Sequence, residues 1–345
     1  MRSRGWPPAH GLRVLVPDWH ATEIGGPCVS IESGLAKRHG KLLLRAASRF
    51  GPLRGFLVFR LSSGFDRVGL IQKSPGVTTF AVLEGWFNRR RDRLVLLTFL
   101  PRELPAGRGR RLAFRGWSSL IERPALRRSM RAAHVLTAAE RTRYAAAYRL
   151  PEDRFRLIPW AFSRRGDPIG HGAARRGGVV SSGRAYCDWE TLFAAARIGS
   201  WELTVICAER DRKRVGALAR ERPARVLCEI SREEHDRLLR NCAVYALCLR
   251  DDGPSAGHVR LMAAVDAGLA VVASDVPGLQ GYVEPGHTAL VVPPQDPRRL
   301  AAAIGSLLDD SALRTELSER AAERARRWTY EDLFQELGEL LAEDS

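Results

Sequence analysis

Ser255-Ala-Gly-His-Val-Arg-Leu-Met-Ala-Ala-Val-Asp-Ala-Gly268-Leu-Ala-Val-Val-Ala-Ser274-Asp-Val-Pro-Gly-Leu279 is the stretch whose reading decides the architecture. The apolar run Ala243–Leu249 precedes it, and a second such run, Ala270–Ser274, lies inside it. Both are short and uninterrupted, as strands buried on both faces are. Between them the turn Pro254–Gly257 opens a helix, so the segment reads strand, turn, helix, strand, the repeating unit of a parallel sheet. Such a turn lies at the carboxyl edge of the sheet. The free N–H groups and positive dipole end of the helix that follows can hold an anionic phosphate there. Gly257 permits close backbone approach, and His258 offers a side-chain donor. An ordinary turn whose glycine serves packing alone would look the same, and local physics does not separate the two readings.

Outward from this stretch the same alternation continues. On the carboxyl side, Gly286-His-Thr-Ala-Leu-Val-Val-Pro-Pro-Gln-Asp-Pro297 ends in Asp296-Pro297, an N-cap and N1 pair that starts a helix. Ser311–Leu341 is helical apart from a break at Trp328-Thr329-Tyr330. On the amino side, Val179–Ser181, Trp201–Cys207 and Arg225–Cys228 read as strands. Asp188 caps a helix over Trp189–Arg197, and Ser231 with Glu234 forms a capping box for a helix to Arg240. Arg164–Gly178 is rich in glycine and arginine with little apolar content and reads as a linker. Before it, Leu12–Val16, Ile24-Gly25-Gly26-Pro27 and a helix to about Arg38 read as strand, glycine turn, helix, the opening of another doubly wound sheet. Val68–Gln72, Leu94–Phe99 and Arg154–Ile158 read as further strands, and Arg123–Arg149 as mostly helical. His134 and His235 sit alone on predicted helices and read as structural. The expected division is therefore 1–163, a linker at 164–178, 179–327, and a terminal segment 328–345.

The chain has 345 residues, 45% of them hydrophobic, enough for two buried cores. Its longest apolar runs are too short to span a bilayer, and Met-Arg-Ser-Arg-Gly-Trp-Pro-Pro has no apolar leader region, so the expected location is the cytoplasm. The six cysteines form no CxxC pair and fall largely in apolar runs, as reduced buried thiols do. Net charge is +16. Between Arg89 and Arg131 thirteen arginines face three acids, Asp92, Glu103 and Glu122, so this region attracts phosphate-bearing partners. The anionic surface of a membrane is the expected partner, with Trp86, Phe87, Phe114 and Trp117 beside the arginines. The competing reading is that the aromatics are core and the arginines follow genome composition. No nucleic-acid reader motif is present, so nucleic acid is not an expected partner.

From about Val179 to Leu341 the sequence resembles the donor-binding domain of the glycogen-synthase-like, "group 1" retaining glycosyltransferases. The resemblance is carried by Gly268–Gly278 and Gly286–Asp296, matched nearly residue for residue and in spacing. It implies an α/β fold of the GT-B type: two Rossmann-like doubly wound domains facing a cleft, with a C-terminal helix crossing back to the first. It also implies a nucleotide-sugar donor, UDP- or GDP-linked, whose diphosphate is held by Ser255, Ala256, Gly257, His258 and Val259. Ser181-Ser182-Gly183-Arg184 resembles the family's Gly-Arg turn, which assigns Gly183 and Arg184 to the donor phosphates, a role that suits a guanidinium fork. The family's usual second cation is missing there, since Cys187-Asp188-Trp189 occupy that place. Gly25 and Gly26 resemble the glycine loop of the acceptor-side domain. Phe99 stands where the family often has a histidine and is a candidate for lining the acceptor pocket.

One departure bears on activity. The family's two glutamates, eight positions apart, fall on Ser255 and Ala263. Ser255 keeps a hydroxyl for a donor sugar, whereas Ala263 offers nothing to a ribose. The resemblance implies transfer with retention and with no metal or other cofactor, the leaving diphosphate acting as base while the protein orients and stabilises charge. Asp251-Asp252 reads as a turn rather than a metal site. The acceptor is a glycan, a lipid-linked sugar or a metabolite. The alternative is a catalytically silent homologue acting as scaffold or regulator.

Overall fold

Strands joined through helices must pair in parallel, because the crossover returns each strand to the same end of the sheet. The computed structural model describes residues 12–88, 92–101, 107–161, 177–251 and 255–343, and in them every ladder is parallel. The chain divides into two units: residues up to Ile158 together with those from Leu333 onward, and Pro159–Asp332. The predicted linker at 164–178 lies outside the described residues except for Gly177 and Gly178, as do Asp252 and Pro254 of the central turn.

The first unit runs β1 (Val14–Val16), α1 (Asp18–Ile24), β2 (Cys28–Ser30), α2 (Ile31–Arg49), α3 (Gly51–Leu61), β3 (Arg67–Ile71), α4 (Val77–Phe87) and β4 (Leu94–Thr98). It continues with α5 (Arg108–Trp117), a π turn at Ser118–Glu122, α6 (Arg123–Ser129), β5 (Met130–Val135), α7 (Ala138–Tyr148) and β6 (Phe155–Leu157). The sheet order is β2-β1-β3-β4-β5-β6. Leu94 to Leu97 of β4 are wholly buried, so both faces of the sheet are covered. The charged group Arg93 is buried just ahead of β4. It forks onto both oxygens of Glu84 in α4 at 2.7 Å and donates to the carbonyls of Ser62 and Phe65.

Two expectations are corrected here. The stretch Arg123–Arg149 is not mostly helical, because Met130–Val135 forms β5 between β4 and β6. Ladder pairing on both sides overrides the helix propensity of its Met, Arg and Ala. His134 therefore sits on a strand, fully buried, with its ring nitrogens 2.7 Å from the carbonyls of Leu97 and Ile158. The opening unit also differs from strand, glycine turn, helix: α1 and β2 intervene, and Gly25-Gly26 joins those two elements.

The second unit runs β7 (Val179–Gly183), α8 (Trp189–Gly199), β8 (Leu203–Cys207), α9 (Arg212–Glu221), β9 (Arg225–Cys228), α10 (Arg232–Arg240), β10 (Val244–Leu247) and α11 (His258–Asp266). Then come β11 (Ala270–Ser274), β12 (Leu290–Val292), α12 (Pro297–Asp309), α13 (Ser311–Ala325) and α14 (Tyr330–Ala342). The sheet order is β12-β11-β10-β7-β8-β9. The capping residues read from sequence act as caps: Asp188 accepts from Thr191 N at 3.1 Å, Ser231 from Glu234 N at 3.2 Å, and Asp296 from Arg299 N at 2.9 Å. The chain leaves α13 through Trp328, whose indole donates to the carbonyl of Pro159 at 2.8 Å. From Leu333 the terminal helix belongs to the first unit. There Phe334 meets Trp19 edge-on, and the carbonyl of Glu343 accepts from the guanidinium of Arg131.

Candidate functional site

In an open parallel sheet, the crevice outside the strands' carboxyl ends opens where strand order reverses. In the second unit that place lies between β7 and β10: β8 and β9 extend from one side, β11 and β12 from the other. The two sequence motifs flank it. Gly183 ends β7 and Arg184 follows, while the Ser255–Val259 turn follows β10 and opens α11. The two carboxyl-end loops are laced together, Asp188 N donating to Cys248 O at 3.0 Å and Arg250 N to Tyr186 O at 2.8 Å.

Glycine fits both motifs, for different reasons. Any Cβ on Gly183 would stand 2.1 Å from Cys187 Sγ. Gly257 adopts φ 87, the left-handed conformation that side chains resist, and packs on Leu247 and Leu249. Ser255 is 8% exposed, and a Cβ on Gly278 would stand 2.8 Å from its Cα. Behind the turn, His258 Nε2 lies 2.7 Å from Gly278 O, and its ring sits tilted against that of Tyr282, centroids 4.2 Å apart. His258 thus carries a bond inside the unit, tying α11 to the loop after β11, where the sequence assigned it to a ligand. Val259 faces solvent and Ala256 is half-buried. Arg184 has a 64% exposed side chain that pairs with Glu229 at 2.6 Å, so its charge is already matched by a surface carboxylate. Ala263, at the place of the second glutamate, is partly buried against the core.

In the first unit the two predicted residues lie elsewhere than expected. Phe99 is 1% exposed and packs 5.0–5.2 Å from the rings of Tyr144, Tyr148 and Phe155, so it is a core residue. Gly25 and Gly26 precede β2, and Pro27 O accepts from Val14 N at the start of β1. They therefore turn the chain at the amino edge of the sheet, opposite the edge where ligands bind. The reversal of strand order in this sheet lies between β1 and β3. At its carboxyl edge is a solvent-open pocket with about 390 Å³ of empty space. Pro17, Glu32, Arg54, Ser74 and Gly76 are among its lining residues. Arg54 pairs with Glu32, which also accepts from Asp18 N at 2.9 Å. Sequence reading missed these groups because their alignment depends on three separate loops and carries no local motif. Among the described residues no helix is long and apolar enough to cross a membrane.

Two doubly wound parallel sheets with a terminal helix returning to the first unit define the GT-B fold. The family described as "Glycosyl transferases group 1" matches residues 193–328. A D-inositol 3-phosphate glycosyltransferase of Corynebacterium urealyticum is 38% identical over 90 residues, a stretch covering 25% of this chain and 21% of that protein. Anabaena HepE, solved in complex with UDP-glucose, has a similar fold at a TM-score of 0.68 and 16% identity, covering 95% of this chain and 98% of that one. WaaG, a glycosyltransferase involved in lipopolysaccharide biosynthesis, has a TM-score of 0.57 at 16% identity, covering 85% and 96%. Over residues 193–328 the chain is thus similar to the group 1 glycosyltransferases, and its two sheets have the GT-B fold.

Proposed function

We propose that this protein transfers a glycosyl group from a nucleotide sugar, UDP- or GDP-linked, to a hydroxyl acceptor. The observation that carries the reading is the meeting of the Gly183–Arg184 and Ser255–Val259 turns at the point where strand order reverses between β7 and β10. Backbone N–H groups at the start of α11 suit a diphosphate, and the positive end of its dipole favours the charge that grows there as the glycosidic bond breaks. In this reading the leaving diphosphate takes the acceptor's proton on the face it vacates. Transfer then retains configuration and needs no metal, and the protein supplies orientation and charge. The complex of HepE with UDP-glucose supports a nucleotide sugar as donor.

The acceptor belongs at an anionic membrane surface in the same reading. Phe87 is 73% and Leu120 79% exposed, with Trp86, Leu112 and Ile121 also outward. Around them stand the exposed Arg108, Arg110, Arg111, Arg115, Arg127 and Arg128. Exposed apolar groups ringed by guanidinium groups fit the boundary between headgroups and acyl chains. Ser255 and Ala263 in place of the two glutamates favour a second reading, a silent homologue that binds without turnover. Release of nucleoside diphosphate from a panel of nucleotide sugars tests the two. Turnover with any donor supports the enzyme, and binding without turnover supports the scaffold.

A further inference from the structure

Beside the Ser255–Val259 turn a buried polar chain crosses four elements. Ser182 Oγ, in β7, lies 3.0 Å from His235 Nε2 of α10 and 2.8 Å from the hydroxyl of Tyr245 in β10. Arg260 NH1, in the first turn of α11, lies 3.1 Å from the same His235 nitrogen. Ser182, His235 and Tyr245 are buried, and Arg260 is half-buried. A guanidinium can only donate, so His235 Nε2 must present its lone pair. The ring proton then sits on Nδ1, toward Asp236 Oδ1 at 3.6 Å. Burial, and next the charge of Arg260, push the histidine below its ordinary pKa, in keeping with a neutral ring. His235 thus acts as a fixed acceptor for one of the five N–H groups of Arg260.

The remaining donors of Arg260 are what make the arrangement informative. Among the described residues no carboxylate pairs with this guanidinium. Its charge is felt at Cys187, on the loop after β7 that supplies no second cation of its own. It also stands in the first turn of a helix, where the dipole opposes a cation and favours an anion. A charge held half-buried by a neutral histidine, against the dipole and with no carboxylate partner among the described residues, is balanced when an anion binds beside it.

We infer that Arg260 is the diphosphate-binding cation of this chain, and that His235 and Ser182 are positioning residues holding its guanidinium at the edge between β7 and β10. The inference rests on the nucleotide-sugar reading above and replaces exposed Arg184, already paired with Glu229, as the principal phosphate contact.

Calorimetry of the full chain with UDP, GDP and dTDP tests it. The expected result is that R260M weakens the preferred nucleotide at least tenfold and flattens the salt dependence of its affinity, while R260K recovers part of the loss. H235Q, which keeps an acceptor on its side-chain carbonyl, should stay within about threefold of the parent, and H235L should fall well below it. A purely structural role would lower thermal stability without changing that salt dependence. If R260M does not fold, R260Q carries the same comparison. Unchanged affinity and salt dependence in R260M or R260Q, with the parent binding, overturns this inference alone. A parent that binds none of the three nucleotides overturns the nucleotide-sugar reading and this inference together.

Discussion

Adding one methyl group at Gly183 should disturb both the fold and the candidate site. The position ends β7, and a Cβ there would stand 2.1 Å from Cys187 Sγ, far inside van der Waals contact. Cys187 cannot simply swing away without consequence. Its thiol is half-buried and donates toward Ala185 O at 3.6 Å, so turning it away gives up that contact in a crowded loop. Overpacking of this kind costs about 1–3 kcal/mol. G183A should therefore lower the denaturation midpoint and weaken nucleotide binding together. Cys187→Ala removes the obstructing sulfur and leaves the two Cβ atoms at 3.8 Å, an ordinary contact. The double variant should recover most of the loss, a coupling of about 1–2 kcal/mol in a double-mutant cycle read by chemical denaturation. Additive effects, or a G183A chain as stable and as nucleotide-competent as the parent, would refute this packing argument.

Three further outcomes follow from the first unit. Arg93→Met should destabilise by about 3–5 kcal/mol in urea unfolding, because it removes the cation from the buried carboxylate of Glu84 and leaves it the Asn88 amide alone; a loss below about 1 kcal/mol would contradict that account. His20 is buried against Trp19 and Phe334, and burial is the main cause pushing its pKa down to about 4. Its folded pKa lies below the ordinary 6.5, so the unfolded chain binds the extra proton. Stability should be full above pH 6.5 and fall toward pH 4 by on the order of 3 kcal/mol, a slope that H20Q should reduce; an identical pH profile for H20Q would discard the assignment. The protein should float with anionic vesicles at low salt and release as salt rises, with Phe87→Ser and Leu120→Ser reducing the bound fraction. A chain that stays in solution points to a soluble acceptor.

Much of the second unit was legible because its signals are local. Asp188, Ser231 and Asp296 each cap the helix they precede, and β8, β10 and β11 between them are apolar runs buried almost throughout. The first unit hid more. β2 has only three residues, and Met130–Val135 is a strand through its neighbours rather than its composition. Helix α4 begins Val-Thr-Thr, residues that favour strands, and is fixed by packing. There a Cβ on Gly55 of α3 would lie 2.3 Å from Gly76 O, a close approach no local pattern announces. The site was legible in the same proportion. The Gly183 and Ser255–Val259 turns do follow β7 and β10, whereas Gly25-Gly26 lies at the amino edge of its sheet. Arg260 went unnoticed because its meaning lies in His235 and Ser182, which are distant in sequence and adjacent in space.

The central claim is that the turns after β7 and β10 bind a nucleotide sugar, and a thermal-shift titration of the purified chain against UDP-, GDP- and dTDP-sugars tests it most directly. A ligand that binds only the folded chain adds about 2.7 kcal/mol at one hundred times its dissociation constant, a shift well within measurement. The account predicts a saturable rise in unfolding temperature with at least one of these donors, diminished in R260M. No shift with any nucleotide sugar up to millimolar concentration would contradict it.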